Sequence, residues 1–142
     1  MKPGQRRHLA RMFDAQNGIC CYCDGATWLP GRESKIEAKA RLGIQQGVNA
    51  GTKMLRLAAA TREHLKRRVD GGRNMNNLTM ACAACNSLRL DSTPEVHRVD
   101  MQVLVAAGLH PVNRPTLIDD PKAHIKRGLK ALKKLRAGQP IQ

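Results

Sequence analysis

The chain has 142 residues, the size of one ordinary domain, and with one Trp, one Tyr and one Phe its core must be small and packed from Leu, Ala, Val, Met and Ile. Its 25 Lys and Arg against 11 Asp and Glu give a net charge of +14, which calls for a polyanionic partner. Scarce aromatic rings argue against a single-strand binder that stacks bases and leave phosphate contacts to duplex DNA as the better form of that partner, with an anionic membrane surface as the rival.

The N-terminal MKPGQRRHLARMF lacks the apolar run of a signal peptide, and no stretch reaches the ~18 apolar residues of a membrane span, so an intracellular, cytoplasmic protein is expected. From Gln5 to Asn17, Leu9, Met12 and Phe13 recur at helical spacing and Gly18 provides a stop, which predicts a short amphipathic helix. ICCYCDGATWLPG follows as a metal knuckle and loop. Residues 31–58 read as a helical insertion interrupted by Gly43, Gly47 and Gly51, which either packs on the core or reaches for substrate.

TREHL, after Ala60, is a short strand candidate, KRRVDGGRNMNN a basic loop, and LTM a second strand. MACAACNSLRL predicts a helix beginning at the second cysteine pair and running to about Leu90. Ser92 to Glu95 has the spacing of a capping box, and Val96, Val99, Val103, Leu104 and Ala107 then mark one face of a helix ending at Gly108. Asp120-Pro121 opens a last helix with an apolar stripe of Ile125, Leu129, Leu132 and Leu135. Its remaining surface is Lys122, Lys126, Arg127, Lys130, Lys133, Lys134 and Arg136, a solvated face that also attracts phosphate. His8, His97, His110 and His124 have no partner at ligand spacing and read as ordinary helix or loop residues.

Five cysteines in a reducing compartment are expected as metal ligands or free thiols. Two Cys-x-x-Cys elements, Cys20/Cys23 and Cys82/Cys85, can supply the four thiolates of a tetrahedral structural zinc site, leaving Cys21 over. A simple zinc ribbon separates its pairs by ~15–20 residues. Here 58 intervene, so the ion must join elements distant in sequence. That interval holds Glu63-His64 and Asn77, and Asn86 follows the last cysteine.

EHL…DGG…NNLTMACAACN resembles the HNH (His-Me finger) endonucleases, in particular the branch stapled by a four-cysteine zinc. The resemblance extends over about Leu9 to Leu90 and is specific from Thr61 to Asn86. It implies an α+β fold with a small zinc-stapled ββα-metal core, placed in residues 1–92; the basic helical extension over 93–142 is read from its patterning alone and lies beyond the resemblance. It further implies that Glu63 and Asn86 bind a catalytic ion, that His64 is the general base, and that Asn77 ties down the loop and orients the histidine. Lone chains of this family are often encoded by phages or mobile elements.

The chemistry is coherent on its own terms. Phosphodiester hydrolysis needs a base near neutral pH, which imidazole supplies, and a cation against the phosphate charge. A carboxylate plus an amide oxygen suits Mg²⁺ or Mn²⁺ better than softer metals. Arg67, Arg68, Arg73 and Arg89 are candidates for phosphate contact, Arg89 foremost because it lies one helical turn beyond Asn86. The rival from another class is a non-catalytic zinc-binding nucleic-acid module, and a third reading is a nuclease fold that has lost catalysis. Whether cleavage nicks or cuts both strands stays open.

Overall fold

The computed structural model describes residues 1–66, 77–110 and 120–141. In chain order they form α1 (Pro3–Ala15), α2 (Lys35–Leu42), α3 (Asn49–Leu57), β1 (Ala60–His64), β2 (Leu78–Cys82), α4 (Ala83–Leu88), α5 (Pro94–Ala106) and α6 (Pro121–Arg136). The class is α+β, as expected: helices around one two-stranded antiparallel sheet, with Ala60 opposite Cys82 and His64 opposite Leu78.

Helix α1 starts with Pro3 in its first turn, where a missing N–H costs nothing, and ends as Asn17 (φ 53°) and Gly18 (φ 69°) turn the chain in the left-handed region. Its exit is fastened to the sheet by Gln16. The Gln16 amide donates to the Met80 carbonyl at 2.9 Å and accepts from the Met80 N–H at 2.9 Å, so one side chain meets β2 as a neighbouring strand would. Leu9 of α1 packs with Leu29, Ala60 and Met80 in a small cluster on this side of the sheet.

The insertion packs on the core. Ser34 and Glu37 form a reciprocal capping box at the start of α2, and Gly43 (φ 71°) closes that helix in the left-handed conformation. Trp28 Nε1 donates to the Leu55 carbonyl at 2.7 Å, and Met54, Leu55, Leu57 and Ala58 join the cluster that surrounds the cysteines. Gly51 does not interrupt a helix; it lies inside α3 because a Cβ there would stand 2.3 Å from the Gln45 carbonyl oxygen. Gly51→Ala is therefore expected to lose about 1–3 kcal/mol in urea denaturation despite the better helix propensity of alanine.

Helix α4 ends at Leu88 rather than Leu90, whose φ of 53° has already left the helix. Thr93, not Ser92, caps α5, accepting from the Val96 N–H, while the Ser92 hydroxyl turns back to the Arg89 carbonyl. The face of α5 also differs from expectation: it buries His97, Asp100, Met101 and Leu104 and leaves Val96 and Val99 exposed. Met101, Leu104, Ala131 and Leu132 share one core with the cysteines and Leu88, so both C-terminal helices are built onto the cysteine centre. Helix α6 approaches α4 closely at Gly128, where a Cβ would lie 2.9 Å from Leu88 Cδ2. Among the described residues no helix is long and apolar enough to cross a membrane.

Candidate functional site

Four cysteines from two distant segments meet in the core. Cys20 and Cys23 come from the knuckle after α1, Cys82 closes β2 and serves as the N-cap of α4, and Cys85 lies in the first turn of α4. All four are buried and their sulfurs lie within 4.8 Å of one another, with Cys23 and Cys82 at 3.9 Å. Tetrahedral zinc with Zn–S bonds of ~2.3 Å needs sulfur separations of ~3.8 Å, so the quartet can hold a structural ion such as zinc.

The surrounding backbone is arranged for thiolates. N–H groups of Tyr22 and Cys82 point at Cys20 Sγ, that of Gly25 at Cys23 Sγ and that of Cys85 at Cys82 Sγ, at 3.3–3.5 Å. Hydrogen bonds from Cys21 and the other neighbouring thiols hold Cys20 far below its ordinary value. Cys82 is driven well above it by its hydrogen bond with Cys20, and Cys85 by burial. Such a cluster keeps its other protons unless a cation replaces them, which is the behaviour of a metal centre. Cys21, half-buried beside it, is not part of the quartet.

Two histidines without any ligand spacing in the sequence also converge here. His110 Nε2 lies 3.1 Å from Cys85 Sγ, and His97 Nε2 lies 2.8 Å from the Cys85 carbonyl oxygen. The His97 ring also packs edge-on against Tyr22, with centroids 4.6 Å apart. Burial pushes the His110 imidazole down to about 4, so near neutral pH it is an uncharged ring able to donate to a thiolate. His110→Ala is expected to weaken zinc retention by roughly tenfold or more in competition with a chromogenic chelator. Unchanged retention would make the contact incidental. The only sequence signal for His97 was its place in a second stripe with Met101 and Leu104; for His110 there was none.

Beside this centre, β1 ends in Glu63 and His64. Thr61 and Glu63 share the strand face turned to α4, while alternation sets the half-buried His64 to the other face at the strand terminus. Asn86 reaches this strand from α4: its Nδ2 donates to Thr61 Oγ1 at 3.1 Å and to the Arg62 carbonyl at 3.2 Å, which leaves Oδ1 as its remaining polar atom. Asn77, just before β2, is tied to Lys66, just after β1, accepting from the Lys66 N–H at 2.8 Å and donating to the Lys66 carbonyl at 2.6 Å.

Arg89 takes a place other than the phosphate-facing one expected for it. It is 4 % exposed, and its Nη1 pairs with Glu63 Oε1 at 3.0 Å and approaches Tyr22 Oη at 3.3 Å. The guanidinium also donates to the carbonyls of His64, Leu65 and Ser92, so it is fully engaged and pins the end of β1. Burial raises the Glu63 carboxyl above its ordinary value, and Arg89 pulls it partway back. Glu63 Oε2 is buried with no hydrogen-bond partner among the described residues. Arg67, Arg68 and Arg73, the other arginines read as phosphate contacts, lie outside the described residues, as does the DGG stretch.

Compared with protein-family models, curated proteins and solved structures, the chain matches none of them. Its function must be read from the residues and their geometry.

Proposed function

We propose that the chain is a metal-dependent DNA endonuclease of the HNH type, with β1, β2 and α4 as its ββα-metal core. The observation that carries this reading is the orphaned, buried Oε2 of Glu63 on the same side of β1 as Asn86, with His64 next in sequence at the strand end. A buried carboxylate oxygen without a donor is a vacant acceptor, and a hard cation satisfies it. Glu63 and Asn86 are the residues that would hold such an ion, Mg²⁺ or Mn²⁺, which when bound supplies charge stabilisation on the phosphate and the leaving oxygen.

The chain's own groups do the rest. His64 takes a proton from water as general base, and the Arg89 contacts to the His64 and Leu65 carbonyls fix the backbone that carries it. Asn77 ties Lys66, two residues past His64, to the start of β2, which limits how far the strand end can shift. The cysteine quartet holds the start of α4, and with it Asn86, against β1. Products with 5′-phosphate and 3′-hydroxyl ends are expected.

The Arg89–Glu63 ion pair favours a second reading, a zinc-bound module that binds nucleic acid without cutting it, because Arg89 already neutralises the carboxylate. Supercoiled plasmid separates the two. The nuclease converts it to open-circular or linear form with Mg²⁺ or Mn²⁺ and not without added metal, and His64→Ala lowers that rate about 10²–10⁴-fold while zinc content is unchanged. Equal retardation of intact plasmid by wild type and variant selects the binding module.

A further inference from the structure

Among the described residues the ion pairs are made by arginines: Arg32 with Asp14, Arg41 with Glu33, Arg89 with Glu63, Arg98 with Asp24, and Arg136 with Asp91 and Asp100. The lysines of α6 stand apart from this pattern. Lys122, Lys126, Lys130 and Lys133 are all exposed, and the helix carries no acid after its N-cap Asp120. At 100° per residue the four fall within an arc of about 80°, and at 1.5 Å per residue they form a stripe about 17 Å long. Such a stripe lies opposite roughly five phosphates of one strand of a duplex.

Helix stability does not account for this arrangement. Like charges four residues apart, Lys122 with Lys126, Lys126 with Lys130 and Lys130 with Lys134, repel one another, and Lys122 sits in the first turn, where the helix dipole disfavours a cation. A face built only for solubility mixes signs. A polyanion converts the repulsion into attraction.

The packing of α6 selects the kind of polyanion. A membrane-surface helix inserts its apolar side among lipid chains. In α6 that side is already taken: Ala131 and Leu132 are buried in the core, Ile125, Leu129 and Leu135 pack against it, and Gly128 closes onto Leu88 of α4. Only the cations remain for a partner. The same close contact ties the stripe to the helix that carries Asn86, so a duplex held on one has a fixed relation to the other.

We infer that α6 is a phosphate rail for duplex DNA, in which Lys122, Lys126, Lys130 and Lys133 grip the backbone independently of sequence; the choice of partner rests on the nuclease reading above. The test is fluorescence anisotropy with a 30-base-pair duplex, without added divalent metal, over a series of salt concentrations. Replacing all four lysines by Gln, a residue of similar helix propensity, is expected to weaken binding roughly a hundredfold at ~0.1 M salt. The slope of log K against log salt should fall by about 3 to 4, and replacement by Arg should restore both. Circular dichroism and zinc content are expected to be the same in all three proteins. Unchanged affinity and slope in the Gln variant overturn the rail, and so does wild-type protein that binds vesicles rich in anionic phospholipid in preference to the duplex. Because cleavage is not the readout, a chain that binds as expected yet leaves plasmid intact with Mg²⁺ and Mn²⁺ keeps the rail and loses the nuclease. A chain whose Gln variant cuts and binds like wild type keeps the nuclease and loses the rail.

Discussion

Stripping the metal from the cysteine centre is expected to unfold the chain as a whole. Purified protein should carry one zinc per chain, and chelation should abolish its cooperative thermal melt. Structural zinc contributes apparent binding free energies of ~10–16 kcal/mol, as much as the ~5–15 kcal/mol that holds an ordinary domain together. Little else here replaces it, because among the described residues the only large aromatic side chains buried around the quartet are Trp28 and Tyr22, and the rest of the cluster is Leu, Met, Ile and Ala. The centre also joins the knuckle to the end of β2 and the start of α4, and Leu55, Met101 and Leu132 from three further helices pack in the same cluster. Cys85→Ser should act almost as strongly, since it removes a ligand and the sulfur that His110 Nε2 meets. A zinc-free protein that still melts cooperatively near the same temperature would refute this account.

Arg89→Ala is expected to destabilise the fold by about 3–5 kcal/mol in urea denaturation, because it leaves the Glu63 carboxylate buried without its partner. The same change releases the carbonyls of His64 and Leu65, so any cleavage activity should fall as well. A second variant isolates the cause. In Arg89→Met with Glu63→Met, both members of the ion pair become apolar, and the share of the loss due to the unpaired carboxylate should return, while the carbonyls of His64, Leu65 and Ser92 still lack their donor. If Arg89 acted at the surface on phosphate instead, Arg89→Ala would leave the melt unchanged and lower the salt dependence of DNA binding.

Much of this architecture was legible in the sequence. Cys-x-x-Cys spacing, the helical spacing of Leu9, Met12 and Phe13, proline in the first turn of α5 and α6, and the Leu/Ile stripe of α6 are local signals. Each marks an element found close to its expected place, α1 running Pro3–Ala15 against the expected Gln5 to Asn17. Less local choices were harder. The α5 sequence offers two stripes, one of valines and one of His97, Asp100, Met101 and Leu104, and hydropathy favours the valines. The other stripe is buried because His97 finds the Cys85 carbonyl and the Tyr22 ring, partners fixed by the cysteine centre. Arg89 illustrates the same limit at the candidate site. A cation one turn beyond Asn86 reads as surface charge until the fold sets Glu63 and the last carbonyls of β1 around it. Asn86 could be singled out from its place after Cys85, whereas its use of Thr61 and the Arg62 carbonyl depends on how α4 lies across the strand.

The Gln16 side chain against Met80 has a further consequence, for self-association. A two-stranded ribbon offers unpaired N–H and C=O groups to any passing strand, which is how sheets recruit copies of themselves. At the centre of β2 both groups of Met80 are already met by Gln16, and the Cys21 N–H adds a second donor to the Met80 carbonyl at 3.3 Å. Docking of α1 therefore blunts the ribbon at the position where an invading strand would gain most. Loss of that one amide would free the Met80 N–H to an incoming strand, with the carbonyl still held by Cys21, while leaving the cysteines, His64 and the lysines of α6 in place.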